Sequence, residues 1–229
     1  MAWRCGSRSN AGLVANLVRA ELLTVPSVIS AFEATDRAHY LRPPHDSYAD
    51  APAPIGHNAT ISAPHMHALL ACALAPYVSL QDARVLDVGS GSGYLCAVLR
   101  RAGAKQVVGV EHIAELVQRA EASLRDDGLG ADLDEGNVQL HVGDGRQGYP
   151  SLAPYAAIHV GAAAPSDVPP ALLQQLASPG RLVCPVQGAD GQQEIIQIDK
   201  DEHGKVTRSS LMGVRYVPLC DMEEQVRLR

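Results

Sequence analysis

Leu86-Asp87-Val88-Gly89-Ser90-Gly91-Ser92-Gly93-Tyr94 is the stretch that decides the fold. A short apolar run, Arg84 to Val88, leads into three glycines at alternate positions, and a helix-like stretch, Tyr94 to Ala102, follows. Glycine permits backbone angles and close approach that a side chain forbids, so a ligand can rest against bare main chain at a strand end. The next apolar run, Gln106 to Val110, ends at Glu111. That acid stands about 20 residues beyond the loop, the spacing at which a carboxylate binds both hydroxyls of a ribose. A third run, Asn137 to Val142, ends in Gly143-Asp144-Gly145-Arg146. Asp144 there is either an ordinary Asp-Gly turn or an acceptor for the exocyclic amine of an adenine.

Outward from this centre, Tyr155 to Val160 and Arg181 to Val186 read as further strands, with helices at His112 to Arg125 and Pro169 to Leu176. Short apolar strands alternating with helices predict a mostly parallel, doubly wound sheet covered on both faces. Glu194 to Ile198 and Leu211 to Val217, joined by the polar turn Asp199 to Lys205, predict an antiparallel hairpin that finishes the sheet. The N-terminal third reads as a helical annex. Helices are expected over Ser9 to Leu23, Pro26 to Ala34 and Pro64 to Ala75, with Ser62 placed to cap the last. Arg42 to Pro54, with four prolines, reads as loop. The expectation is one α/β domain over residues 1–229, with an annex and acceptor region over 1–80 and a nucleotide-binding core over 81–229.

Composition narrows the function. Of 229 residues, 46% are hydrophobic and 19% charged, which predicts a packed globule rather than a disordered chain. The formal net charge is −6, whereas a duplex nucleic-acid binder or a protein of anionic membranes normally carries a basic excess. The start lacks the apolar stretch of a secretory signal, and the most apolar run, Leu69 to Ala75, is too short to span a bilayer. Five scattered cysteines (5, 72, 96, 184 and 220) argue against a disulfide framework or a zinc site, so a reducing, cytoplasmic setting is expected; nothing in the sequence suggests an obligate partner, and a monomer is expected. His65-x-His67 lacks a third ligand at sensible spacing, and no metal is expected.

The glycine spacing also selects among nucleoside ligands. Dinucleotide binders use G-x-G-x-x-G and set a pyrophosphate on the helix N-terminus. Here the spacing is Gly89-x-Gly91-x-Gly93, and Asp87 stands two residues before the first glycine. A carboxylate there repels a pyrophosphate and suits a ligand with positive charge. S-adenosylmethionine fits, with a ribose, a zwitterionic end and a sulfonium. Asp87 either attracts the sulfonium region or fixes the loop by bonding its amides.

The glycine loop resembles the nucleotide-binding motif of class I methyltransferases, and four further stretches resemble the protein-L-isoaspartate (D-aspartate) O-methyltransferase family. They are Ala34 to Tyr40, Ile55 to Ala68, Pro154 to Ala163, and Leu211 to Leu219. Even Met1-Ala2-Trp3 resembles the eukaryotic branch. The resemblance implies a Rossmann-like methyltransferase fold and transfer of a methyl group from S-adenosylmethionine to the free α-carboxylate of isoaspartyl and D-aspartyl residues in damaged proteins and peptides. It implies that Ser62 is the catalytic residue at the accepting carboxylate and that Ala59, Thr60 and Ile61 line the site with it. Cofactor contacts are implied for His67, Ser92, Glu111, Asp144 and Gly145, with Cys220 and Gln225 near the cofactor; Asp87, Gly89, Gly91 and Gly93 of the loop, His112 and the Ala59 to Ser62 segment are expected to join them. Val217, Pro218 and Leu219 are implied to form the peptide-binding wall with Ile61 and Ser62. The chain departs from the family at His57-Asn58, Ala156, Ser178 and Cys220, the last standing where a Thr is common.

The chemistry is consistent with this. A carboxyl of this kind has a pKa near 3.3–3.9 and is ionised at neutral pH, so methyl transfer needs no general base. The nine histidines accordingly form no convincing nucleophile–base arrangement. The task is positioning, worth about 7–11 kcal/mol of a barrier when reactants are aligned. Rival readings are a class I methyltransferase for another carboxylate or small molecule, and a non-catalytic adaptor that binds isoaspartyl-like peptides. The short tail after the last strand speaks against the adaptor.

Overall fold

The computed structural model describes residues 5–41 and 45–227. The Met1-Ala2-Trp3 match and residues 42–44 of the proline-rich loop lie outside the described residues. Helices α1 (Asn10–Arg19) and α2 (Pro26–Ala34) form where the apolar spacing predicts them. Ser9 caps α1 by accepting the Gly12 N–H, and Pro26 opens α2.

The sequence reading missed the next unit, a hairpin of β1 (Ala53–Gly56) and β2 (Ala59–Ile61). Its two turn residues, His57 and Asn58, have φ of 51° and 56°. A two-residue hairpin needs this left-handed pair to match strand twist, and Asn tolerates it better than most residues.

Helix α3 (Pro64–Val78) corrects two expectations. Ser62 does not cap it: Ala63 holds the cap position without a side-chain bond, and Pro64 at the first turn has no N–H to satisfy. The helix also runs through Pro76 instead of stopping before it. Only two residues follow Pro76, and the Ser79 N–H and hydroxyl still close onto the Ala75 carbonyl, at 3.2 and 3.0 Å.

The core follows as β3 (Arg84–Val88), α4 (Tyr94–Arg101), β4 (Gln106–Glu111), α5 (Ala114–Asp126), a short α6 (Gly130–Asp134) and β5 (Val138–Val142). After it come β6 (Tyr155–Val160), α7 (Pro170–Gln175), β7 (Leu176–Gln187), β8 (Gln193–Lys200), β9 (Val206–Val214) and a terminal turn of helix, α8 (Met222–Arg227). Seven strands form one sheet in the order β5-β4-β3-β6-β7-β8-β9. The first five are parallel, and β8 runs antiparallel to β7 and to β9 on either side of it. Both β7 and β9 start earlier than expected, at Leu176 and Val206. The first half of β9, Val206 to Ser210, is exposed at the sheet edge, so it carries polar residues that mask a strand from hydropathy.

Alternation along the strands builds two cores, one on each face. Val85, Val107, Ala157, Val183 and Ile195 pack with α1 to α5. Their chain neighbours Leu86, Val108, Ile158, Leu182 and Ile196 pack on the opposite face with Leu172 of α7. Strand β3 lies between β4 and β6, so the chain leaves it in one direction and later returns on its other side. The C-terminal ends of β3, β4, β5 and β6 therefore meet at a topological switch point, where such sheets bind ligands.

Candidate active site

At that switch point the strand ends surround one cavity. Gly89 and Gly91 come from the loop after β3, Val110, Glu111 and His112 from the end of β4, and Asp144 and Gly145 from the turn after β5. Gly161 and Ala162 follow β6; Ala59 and Thr60 belong to the hairpin, and Val217, Pro218, Leu219, Cys220 and Gln225 to the tail. The loop glycines have φ of 73°, 49° and 80°, a region that favours glycine. Gly145 is needed for a different reason: a Cβ there would stand 2.5 Å from Val88 Cγ1.

Glu111 organises the loop. Its Oε2 accepts the Gly91 N–H at 3.2 Å and its Oε1 the Ile113 N–H at 3.0 Å, and the residue is 6% exposed. Each carboxylate oxygen can accept a further hydrogen bond. Asp144 accepts from the Arg146 main chain at 2.9 Å and from its guanidinium at 2.9 and 3.1 Å. The Arg146 side chain holds the Asp144 carboxyl below its ordinary range. Burial keeps the Cys220 thiol above its ordinary pKa, with Glu224 and Asp221 adding to the effect, so it stands protonated at neutral pH.

Several residues expected at the cofactor lie elsewhere. Asp87 is 1% exposed and does not line the cavity: strand alternation puts it with Val85 on the sheet face that packs against α1 to α5. Its Oδ1 pairs with His159 Nδ1 at 2.7 Å, its in-register neighbour on β6, and its Oδ2 accepts from Cys96 at 3.3 Å. It accepts no loop amide and is not among the residues lining the cavity; it is a buried acid beneath the loop. His67 is likewise buried, with its ring against Tyr94 at 5.1 Å and Nδ1 3.5 Å from Arg37. Burial, and next to it the Arg37 charge, pushes the His67 pKa well below its ordinary value, so the ring is neutral. Gly93 turns against Ala120 and Leu124 of α5, and Ser92 Oγ accepts the Tyr94 N–H at 3.4 Å; neither lines the cavity. Ile61 is 3% exposed and packs into the core.

A second, more open groove adjoins the cavity. Thr60 and Val217 line both. Ser62, His65, Met66, Met212, Arg215 and Tyr216 continue the groove away from the cavity. Ser62 thus belongs to the groove and not to the cavity, whereas Pro218 and Leu219, expected at the peptide, face the cavity. Arg37, which is fully buried, donates to the Ser62 carbonyl at 2.7 Å with its guanidinium 5.3 Å from the Tyr94 ring centre, and so fixes the Ser62 main chain from behind. Burial brings its pKa down to about 10, which still leaves it charged. His65 directs Nδ1 to Asp50 at 2.8 Å.

The tail roofs the cavity. Gln225 donates to the His57 carbonyl at 2.9 Å, its Oε1 meets His112 Nε2 at 2.9 Å, and its carbonyl accepts from Asn58 at 2.8 Å. Arg146 also bonds Asp221. The hairpin turn and α8 are joined across the mouth. Sequence reading missed Gly161, although a glycine at a strand end was the signal it had used at Gly89, and it missed Arg37 and Tyr216, whose roles arise only in packing.

The lining tests what the cavity suits. It contains two carboxylates, Glu111 and Asp144, and neither Lys nor Arg. Those acceptors repel phosphates and suit a nucleoside with positive charge and ribose hydroxyls to donate, as S-adenosylmethionine has.

Comparison with known proteins agrees. The family model for protein-L-isoaspartate(D-aspartate) O-methyltransferases matches residues 8–224. Protein-L-isoaspartate O-methyltransferase 1 of Arabidopsis thaliana is 43% identical over 95% of this chain and 94% of its own length. The Caenorhabditis elegans enzyme of that name is 43% identical over 98% of both. Among solved structures, one from Plasmodium falciparum described as a beta-aspartate methyltransferase in complex with S-adenosyl-L-homocysteine superposes with a TM-score of 0.82. It is 30% identical, and the match covers 93% of this chain and 99% of that one. Among the described residues, no helix is long and apolar enough to cross a membrane.

Proposed function

The chain belongs to the protein-L-isoaspartate(D-aspartate) O-methyltransferase family, and on that premise we propose that the cavity takes the methyl donor while the groove takes the acceptor. The chain is an S-adenosylmethionine-dependent carboxyl O-methyltransferase that acts in repair of isoaspartyl residues in proteins. When bound, the cofactor supplies a methyl group on positive sulfur and leaves as S-adenosylhomocysteine, the carbon–sulfur pair staying on sulfur.

The observation that carries the division of labour is that cavity and groove share Thr60 and Val217. Glu111 is assigned to the ribose hydroxyls, Asp144 and Gly145 to the base, and Gly89 and Gly91 to close main-chain approach. Ser62 is assigned to the accepting carboxylate, which it holds by a hydrogen bond with its own main chain fixed by Arg37. The acceptor enters ionised, and no residue of the chain has to move a proton. The chain is read as a monomer working on peptides and proteins in the cytoplasm; the net charge of −6 supports a partner other than nucleic acid.

The test is methylation of paired peptides that differ only in an isoaspartyl or a normal aspartyl residue. The isoaspartyl peptide should accept label as a base-labile ester and the aspartyl peptide should not. Equal labelling of the two, or a base-stable product, overturns the assignment. Gel filtration at working concentration tests the monomer.

A further inference from the structure

One polar atom in the groove has no explanation in the folded chain. Tyr216 lines the groove with Ser62, and its Oη is buried without a hydrogen-bond partner. A buried hydroxyl left unpaired costs roughly 1–3 kcal/mol, so such an atom in a native protein calls for a reason. Both the main chain and the ring of Tyr216 are held in place. Its main chain is clamped by Gln193 of β8, whose Oε1 accepts the Tyr216 N–H at 2.6 Å and whose Nε2 donates to the Tyr216 carbonyl at 3.3 Å. The side chain packs against the core on the α1–α5 face. The polar neighbour at this hydroxyl is the Ser62 side chain, near enough to lower the phenol's pKa but not joined to it by a bond of normal geometry. Burial outweighs that effect and pushes the phenol up to about 12, so at neutral pH it is a hydrogen-bond donor and not a base.

Two hydroxyls are therefore neighbours in the groove lining, and the main chain of each residue is held, Ser62 by Arg37 and Tyr216 by Gln193. We propose that Tyr216 is a second catalytic hydroxyl, whose Oη donates a hydrogen bond to the same isoaspartyl carboxylate that Ser62 holds. This rests on the acceptor reading of the groove. A carboxylate has about four lone-pair sites and accepts two such donors while keeping a lone pair for the methyl carbon. Two donors from different elements, β2–α3 on one side and the end of β9 on the other, fix the direction of the anion as well as its place. The carboxylate also completes the bonding of a phenol that the fold leaves unpaired.

The test is Tyr216→Phe, which removes the hydroxyl and keeps the ring. With the isoaspartyl peptide, kcat/KM should fall about ten- to a hundred-fold, the range for deleting a hydrogen bond to an ionised group. Most of the loss should appear in KM, because the charge the phenol holds disappears as the ester forms. The melting temperature should stay level or rise, since an unpaired buried hydroxyl has been removed. S-adenosylhomocysteine affinity should be unchanged. The double variant with Ser62→Ala should lose less than the product of the two single effects, because both act on one group. A kcat/KM within twofold of the parent chain, or a loss matched by a fall in melting temperature, overturns the proposal, as do strictly multiplicative effects. The parent chain assayed in parallel separates the failures. If it methylates the isoaspartyl peptide and Tyr216→Phe does so equally well, only the role of Tyr216 falls; if it does not, the acceptor reading falls and takes this role with it.

Discussion

Both oxygens of Glu111 already have main-chain partners, one in the glycine loop and one at the start of α5. The acid therefore shapes the cavity before any ligand arrives. Glu111→Gln removes the charge and, because an amide NH2 cannot accept, leaves one of the two main-chain N–H groups of Gly91 and Ile113 unpaired; calorimetry should show S-adenosylhomocysteine binding weakened about tenfold or more, as for loss of hydrogen bonds to an ionised group. Circular dichroism should be unchanged. His67 makes the second residue-scale prediction. Its folded pKa lies well below the ordinary 6.5, so below pH 6.5 the unfolded chain binds a proton that the folded chain refuses. Stability from this group is complete above pH 6.5 and is lost as pH falls, by up to ~1.4 kcal/mol per pH unit. The urea midpoint should drop between pH 7 and pH 5, and His67→Gln should flatten that slope. Glu111 could be read from the sequence because its place depends on a strand end and a count of residues. The burial of His67 could not, because residues 65 and 67 occupy different sides of α3 and only packing decides which side turns inward.

The strands and helices of the core follow hydrophobic runs and are legible for that reason. The β1–β2 hairpin is not, since its strands are short and its signal is a turn, His57-Asn58, whose left-handed pair was open to reading from the Asn. Its importance comes from α8, which also escaped the sequence reading. Gln225 ties the two together across the cavity and adds His112. Gln225→Ala should raise the dissociation rate of S-adenosylhomocysteine several-fold in stopped-flow displacement. It should leave peptide KM at saturating cofactor nearly unchanged, because the groove lies beyond the roof.

At the scale of the whole molecule, the annex and the sheet share one core. Leu13, Leu17, Val28 and Phe32 of α1 and α2 belong to the same cluster as Val85, Val107 and Ala157 of the sheet. The annex therefore has no separate hydrophobic core, and the chain should unfold in one transition. Hydrogen exchange in α1 and β4 should report the same opening free energy, and a plateau at intermediate urea would divide the chain instead. Doubly wound topology was legible from alternating runs, whereas the exposed edge strand β9 and the buried acid Asp87 depend on what lies beside them in the sheet. The tail is held at two points of unlike nature. Gln225 makes neutral amide contacts, while Arg146 bridges Asp144 and Asp221 by charge at a partly solvated surface. Dissolved ions weaken the second fastening far more than the first. Raising sodium chloride should therefore shorten the dwell time of the spent nucleoside down to the limit that the amide clasp sets, and no further.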